Sequence, residues 1–365
     1  MNSNVTSMSE DFSHRSTILY WNEQIKVYLT PNTILLSIFL LIGVPGNLAV
    51  IFIYQCRLSK KTSGRYFIVP LAWTDTFALL VTGAINITQN TRQVTFPGFG
   101  TCKLLIYMSY VSISISLDIL VAIAVQRYLK ICRPFGRQMI LTWRRRSVYL
   151  CILVSVLTYI PVLFYFGRVE GRNPNLGNVT GYQCSIIHSS KSKLKWFRIF
   201  QGFGAFATFC VVIIVTVLYI LITKVIITHE RKRNANLVHP GKQQTTEDIL
   251  LHHTRETNTR PNITTRVTEE KDIFTKTDQQ KSTFRISFMF MTISLVGFLA
   301  YLPSWSFIFI EANNPLFWKN MSSVSFHICL TLRRMYMVNH LCNPFIYGVF
   351  DKAFRVEVKK LFGKQ

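Results

Sequence analysis

The sequence predicts an all-α membrane protein, a seven-transmembrane helix bundle closed by a short amphipathic C-terminal helix. Three observations predict it. Seven apolar runs recur along the 365 residues, each near the length of about 20 residues that a helix needs to cross a bilayer. The chain is 49% hydrophobic and only 16% charged, whereas charged residues make up about 25% of a soluble chain. Its formal charge of +24 lies mostly in short segments between apolar runs, the pattern of the positive-inside rule. A nucleic-acid binder would carry such charge on a soluble module, so no nucleic-acid partner is expected.

Residues 1–31 read as a polar tail with the sequon Asn4-Val5-Thr6. They lack the basic start and apolar core of a signal peptide, so the first apolar helix is expected to be an uncleaved anchor. The first span, about 32–56, contains Gly46 and Asn47 and exits through Arg57, Lys60, Lys61 and Arg65. The second, about 66–90, embeds Asp75. The third lies between Cys102 and Pro134. Between Lys103 and Arg127 its only formal charge is Asp118, and it ends in Gln126-Arg127-Tyr128. A basic loop follows, with Lys130, Arg133, Arg137, Arg144, Arg145 and Arg146. The fourth span, about 147–166, ends near Pro161, with Trp143 ahead of it. A polar segment then carries Cys184 and the sequon Asn178-Val179-Thr180.

The fifth span is expected at about 197–228 and the sixth, with Pro303, at about 284–311. Residues 229–281 between them have the low hydrophobicity of disorder. The seventh, about 323–349, carries Asn343-Pro344-Phe345-Ile346-Tyr347. Beyond it Phe350, Phe354, Val358 and Leu361/Phe362 recur at helical spacing with lysines between them, the pattern of a helix lying on the inner leaflet. The domain reading is therefore a tail at 1–31, a seven-span domain at 32–349, and an amphipathic helix with a short cytoplasmic tail at 350–365.

The basic loops after spans one, three and five put those loops inside and the N-terminus outside, in a multi-pass protein of the plasma membrane. Cys102, Cys184, Asn4 and Asn178 then lie on the face where disulfides and glycans form. Cys102 and Cys184 are the only cysteines clearly on that face, so they are expected to pair. Asn262 falls inside and is expected to stay unglycosylated. No HExxH, GxSxG or metal-ligand cluster is present, so no enzyme is expected. No internal repeat suggests a transporter. Asp75 is a functional candidate because ionisable groups inside membranes are costly. Polar residues in such bundles also serve as interhelical hydrogen-bonding groups.

Cys102 at one mouth of span three, Arg127-Tyr128 at the other, Asp75 and Asn343-Pro344-Xaa-Xaa-Tyr347 together resemble the rhodopsin-like G-protein-coupled receptors. The resemblance covers about 30–362, apart from the long loop. It implies a sodium ion near Asp75, held in a polar core of Asn47, Asp75, Ser116, Asn339 and Asn343. It implies a switch in which Arg127 meets the G protein once the sixth helix swings out, with Tyr219 and Tyr347 as partners. A kink at Pro303 amplifies that motion. The alternative for Arg127 alone is an arginine snorkelling to headgroups. Four departures stand out: Gln126 replaces the usual acid, Tyr301 replaces a tryptophan, span four lacks its tryptophan, and Val211 stands where span five usually has proline. Thr283 is neutral where some receptors place a second acid.

Ser109 stands where amine receptors keep an aspartate, so an amine ligand is not expected. Span seven lacks the lysine that a retinal Schiff base requires. Arg333 and Arg334 lie about 15 Å outward of Asn343, at the bundle mouth, and point about 100° apart. Either one pairs with Glu311, or one binds an anionic group of the ligand. Lys191, Lys193 and Lys195 favour the second. Ser109, Tyr301, Arg333 and Arg334 are thus the ligand-site candidates, and a peptide is the expected ligand, with a nucleotide or acidic lipid as runner-up. After Tyr347 there is no Ser or Thr. Regulatory phosphate and arrestin recruitment are therefore expected to depend on Thr245, Thr246, Thr254, Thr257, Thr259, Thr264, Thr265 and Thr268.

Overall fold

The computed structural model describes the backbone of residues 2–58, 63–187, 191–238, 263–314, 317–361 and 363. It describes the side chains in these ranges except 2–13, 63, 191, 193, 234–280, 312–313 and 319–320. Helix α1 (Asn2–Phe52) begins well before the span expected at 32–56. The polar residues ahead of Pro31 continue this helix, and tertiary bonds hold it at Asn22. Asn22 Nδ2 donates to the Thr91 carbonyl at 2.8 Å, and Asn22 Oδ1 accepts from the Val94 amide at 3.3 Å. A π-type turn (Ile53–Arg57) closes α1.

Helices α2 (Ile68–Thr91) and α3 (Phe99–Cys132) sit where the apolar runs place them. Helix α4 (Leu141–Tyr159) starts earlier than expected, so Trp143 lies in its first turn and not ahead of it. Arg144, Arg145 and Arg146 are good helix formers and extend the helix past its apolar part. Pro161 lacks an N–H, and a one-turn helix α5 (Val162–Tyr165) follows it.

The polar segment before span five is a hairpin that hydrophobicity alone does not reveal. Strands β1 (Phe166–Asn173) and β2 (Val179–Ile186) pair antiparallel, with Arg168 opposite Cys184 and Asn173 opposite Val179. Gly177 and Asn178 turn the chain in the left-handed region, at φ 70° and 58°. Both residue types tolerate that region. The hairpin is stitched to the α2–α3 connection: the Tyr182 amide donates to the Val94 carbonyl at 2.7 Å, and the Phe96 amide to the Tyr182 carbonyl at 2.9 Å. Gly181 permits this approach, since a Cβ there would stand 2.9 Å from the Val94 oxygen.

Helices α6 (Lys191–Val238) and α7 (Ile263–Asn313) run past the apolar limits of spans five and six. Both flanks of the segment expected to be disordered are therefore helix. Extending an existing helix needs no new nucleus, and the Lys, Arg, Glu and Gln of these flanks are good helix formers. Residues 239–262, with Thr245, Thr246, Thr254, Thr257, Thr259 and Asn262, lie outside the described residues.

Span seven is expected as one helix but consists of α8 (Ser323–Arg333), α9 (Met337–Leu341) and α10 (Asn343–Phe350). Across the first break, the amides of Met335, Met337 and Val338 reach carbonyls three residues back, the tighter 3-10 pattern. The second break falls at Cys342, one residue before the Asn343-Pro344 pair, where proline restricts the chain. The amphipathic helix is α11 (Lys352–Leu361), with Phe354 buried; Phe362 lies outside the described residues.

Among the described residues, six helices are long and apolar enough to cross a membrane, and α8–α10 make the seventh crossing. Helix α3 is central: α2, α4, α6 and α7 all pack on it, while span seven closes the ring between α7 and α1. Leu71, Ile119, Leu120, Phe290 and Ile293 fill the core between these helices. Leu41, Tyr149, Phe206 and Leu299 stand exposed on the outside, as in a multi-pass membrane protein whose outer surface is solvated by lipid.

Candidate functional site

In the middle of α2, Asp75 is fully buried and gathers three groups from spans three and seven. Its Oδ1 accepts from Ser116 Oγ of α3 at 2.7 Å and from His340 Nδ1 of α9 at 2.7 Å. Its Oδ2 accepts from Asn343 Nδ2 of α10 at 2.5 Å. Of the five polar-core residues expected together, Asp75, Ser116 and Asn343 therefore meet. Asn47 sits behind them and donates to the His340 carbonyl at 2.8 Å. Asn339 packs against Gly297, where any Cβ would collide with its amide oxygen. His340 is the residue the sequence reading missed. The signal was available: it is an ionisable side chain inside an apolar span, the criterion that singled out Asp75.

Tyr301 stacks on Tyr336, with ring centroids 6.4 Å apart, and its hydroxyl lies 3.5 Å from His340 Nε2. The implied sodium ion can be tested against this set. A hard cation takes several oxygen ligands turned toward it. A carboxylate offers roughly four lone-pair sites, and here hydroxyl, amide and imidazole donors already take three. The buried amide oxygens of Asn47 and Asn339 lack hydrogen-bond donors, but Asn47 is anchored to the Gly43 and His340 carbonyls and the Asn339 oxygen lies against Gly297. The residues present do not fit the ion.

Asp118 points away from this core. Ser155 Oγ of α4 lies 2.9 Å from its Oδ2 and 3.1 Å from Ser114 Oγ, so Asp118 joins α3 to α4.

At the end of the bundle away from the hairpin, Arg127 is fully buried. That burial rules out the snorkelling alternative. Its Nη2 donates to the Gly64 carbonyl, and its guanidinium lies 4.9 Å from the centre of the Phe290 ring. Among the described residues no carboxylate comes within ion-pair distance of it. Gln126 is buried beside it, and Tyr128 is half-buried against the α6 cluster. The Tyr219 hydroxyl accepts from Ser294 Oγ at 3.3 Å. Tyr347 packs edge-on against Tyr54 and Phe354. Pro303 lies inside α7. A groove of about 550 Å³ opens at this end, lined by Glu230, Lys281, Phe284, Arg285, Phe350 and Arg355.

A second group here was not foreseen. Asp351, between α10 and α11, accepts from Arg65 Nε at 2.7 Å, Arg65 Nη2 at 2.8 Å and the Tyr54 hydroxyl at 2.8 Å. Its Oδ1 also accepts from the Ala353 amide at 3.0 Å, in the first turn of α11.

At the hairpin end, Cys102 and Cys184 form a disulfide, with Cα atoms 5.5 Å apart. Asn178 is exposed at the hairpin tip; the side chain of Asn4 lies outside those described. The two neighbouring arginines diverge, as their spacing on a helix requires. Arg333 pairs with Glu311 of α7 through two bonds of 2.9 and 3.1 Å, and Trp318 Nε1 donates to the same carboxylate at 2.9 Å. Arg334 is buried and donates to Asn86 Oδ1, while Asn86 Nδ2 donates to the Tyr336 hydroxyl at 3.0 Å. Ser109 is buried in α3. Beside it Tyr110 packs on Tyr159 and on Phe166 of the hairpin.

Comparison with known proteins agrees with this layout. The family model described as 7 transmembrane receptor (rhodopsin family) matches residues 46–347. The chain is similar to the thyrotropin-releasing hormone receptor of Bos taurus, at 25% identity over 90% of this chain and 77% of the relative. It is also similar to the cholecystokinin receptor of Xenopus laevis, at 27% identity over 43% of this chain and 35% of that one. Among solved structures, squid rhodopsin superposes with a TM-score of 0.63 at 19% identity, covering 92% of this chain and 85% of the other.

Proposed function

The chain belongs to the rhodopsin family of seven-transmembrane receptors, and on that premise we propose that it couples binding of an extracellular peptide to activation of a heterotrimeric G protein. It acts in the plasma membrane, with the hairpin outside and α11 inside. The observation that carries the ligand class is the mouth at the hairpin end. There the Arg333–Glu311 pair, Trp318 and Tyr110 offer charged, hydrogen-bonding and aromatic surface together. Such a surface suits a peptide with both polar and apolar groups. Relatives named for the hormones thyrotropin-releasing hormone and cholecystokinin support the same class.

The test is nucleotide exchange on G proteins in membranes carrying this chain, challenged with acidic and amidated peptides. Exchange driven by a peptide is the expected result. Exchange driven only by a nucleotide or an acidic lipid would overturn the ligand class.

At the inner end, Arg127 faces a backbone carbonyl and a ring where relatives with an acid at position 126 form an ion pair. A partly exposed ion pair is worth only about 0–1 kcal/mol, a better-buried one more, and about 1.4 kcal/mol moves a two-state equilibrium tenfold. Gln126→Asp should therefore lower ligand-free G-protein turnover several-fold at matched surface expression. Equal turnover would show that the Gly64 carbonyl and the Phe290 ring already hold Arg127 as firmly as an acid does.

Regulation by phosphate falls to the connection between spans five and six, which carries Thr245, Thr246, Thr254, Thr257, Thr259, Thr264, Thr265 and Thr268. Each phosphate adds about −1.5 to −2 charges. Deleting residues 243–270 should abolish agonist-driven phosphorylation and weaken arrestin recruitment. Phosphate mapped only to another cytoplasmic loop would refute this assignment.

A further inference from the structure

The imidazole of His340 closes one edge of the Asp75 carboxylate. Both side chains are fully buried, and the ring nitrogen stands 2.7 Å from the carboxylate. A carboxylate oxygen accepts, so His340 Nδ1 carries the hydrogen of this bond. The arrangement holds for either state of the ring. A neutral ring still fills the coordination edge of the carboxylate with an N–H. A protonated ring also cancels its charge, leaving no net negative charge to attract a cation into the bundle.

Ser116 and Asn343 complete the donor set, each aimed at the same carboxylate. The ring is fixed from behind as well. Its own backbone carbonyl accepts from Asn47, and its far nitrogen faces the Tyr301 hydroxyl. Turning the ring aside to admit an ion would disturb its contacts with α2 and α7 together.

We propose that His340 makes this receptor independent of sodium, acting as a built-in substitute for the ion in joining α2 to span seven. A serine in its place offers a hydroxyl oxygen, frees one lone-pair site of Asp75 and leaves the volume of a ring for an ion and water. His340→Ser is therefore expected to create a sodium site.

The experiment compares thermal unfolding of the purified full chain in detergent, in sodium chloride and in N-methylglucamine chloride at equal ionic strength. The wild type should unfold at the same temperature in both salts. His340→Ser should unfold at lower temperature than the wild type in the organic salt and gain about 2–4 °C in sodium, the shift expected when a ligand well above its Kd binds only the folded state. Adding Asp75→Asn to His340→Ser should erase that gain. A sodium-dependent rise in the wild type would overturn the proposal outright, whether or not the variant can be purified. A folded His340→Ser that gains nothing from sodium would also overturn it, because the ring would then not be what keeps the ion out.

Discussion

Arg333→Ala should reduce the potency of a peptide agonist by tens-fold or more, while Arg334→Ala should reduce the amount of receptor at the cell surface and leave potency close to wild type. The two residues are adjacent, but their surroundings assign them different work. Arg333 is half-buried at the mouth and presents a forked guanidinium whose partner, Glu311, is itself partly exposed. Such a fork accommodates a carboxylate or carbonyl of a ligand alongside, or in exchange for, Glu311. Truncating one partner of a desolvated charged contact costs about 2–5 kcal/mol, part of it from the stranded partner. The double variant Arg333→Ala with Glu311→Gln separates the two contributions. If removing the stranded acid restores potency, Arg333 serves Glu311 alone and the ligand contact is refuted. Arg334 is buried against Asn86 and Tyr336. Its loss leaves a buried amide oxygen without a donor, at about 1–3 kcal/mol, and this appears as a folding defect in concentration–response curves of reduced height and unchanged midpoint.

Cys102→Ser should retain most of the receptor in the secretory pathway. The disulfide joins the first turn of α3 to strand β2 across 82 residues, and removing a native disulfide costs about 2–5 kcal/mol. The loss spreads beyond the bond. Strand β2 also carries Tyr182, whose backbone holds the α2–α3 connection, and Gly181, which packs under Trp21 of α1. Freeing Cys184 therefore loosens the whole outer cap. Surface staining and glycan maturation of Cys102→Ser and Cys184→Ser, each alone and together, check this. The double variant should be no worse than either single one. Normal surface levels with normal signalling would count against a structural role for the bond.

Much of this molecule could be read from its residues, for identifiable reasons. Membrane crossings are legible because lipid imposes one requirement on every span, an apolar stretch of fixed length. Asp75 was legible because a carboxylate is so costly in that setting. The disulfide was legible from the side of the membrane on which its cysteines fall. What stayed hidden was pairing. Nothing in the sequence alone places His340 rather than Asn47 or Asn339 against Asp75, since all lie at plausible depth. The answer depends on the tight turns that divide span seven. The choice of Arg333 by Glu311 was open for the same reason. The hairpin was hidden because its strands are rich in polar residues and glycine, and its turn rests on two left-handed residues, Gly177 and Asn178. The helical flanks of the long loop were missed because their composition, rich in charge and threonine, marks both solvated helices and disordered chain.

The Asp351 carboxylate has a mechanical meaning. It terminates span seven, starts α11 and grips Arg65 in the connection between α1 and α2. The end of span seven away from the hairpin is thus a tethered lever and not a free one. Inward travel of Tyr347 has to carry Arg65 with it or break two charge-assisted bonds. The work of moving that lever is set partly by Arg65, a residue outside span seven.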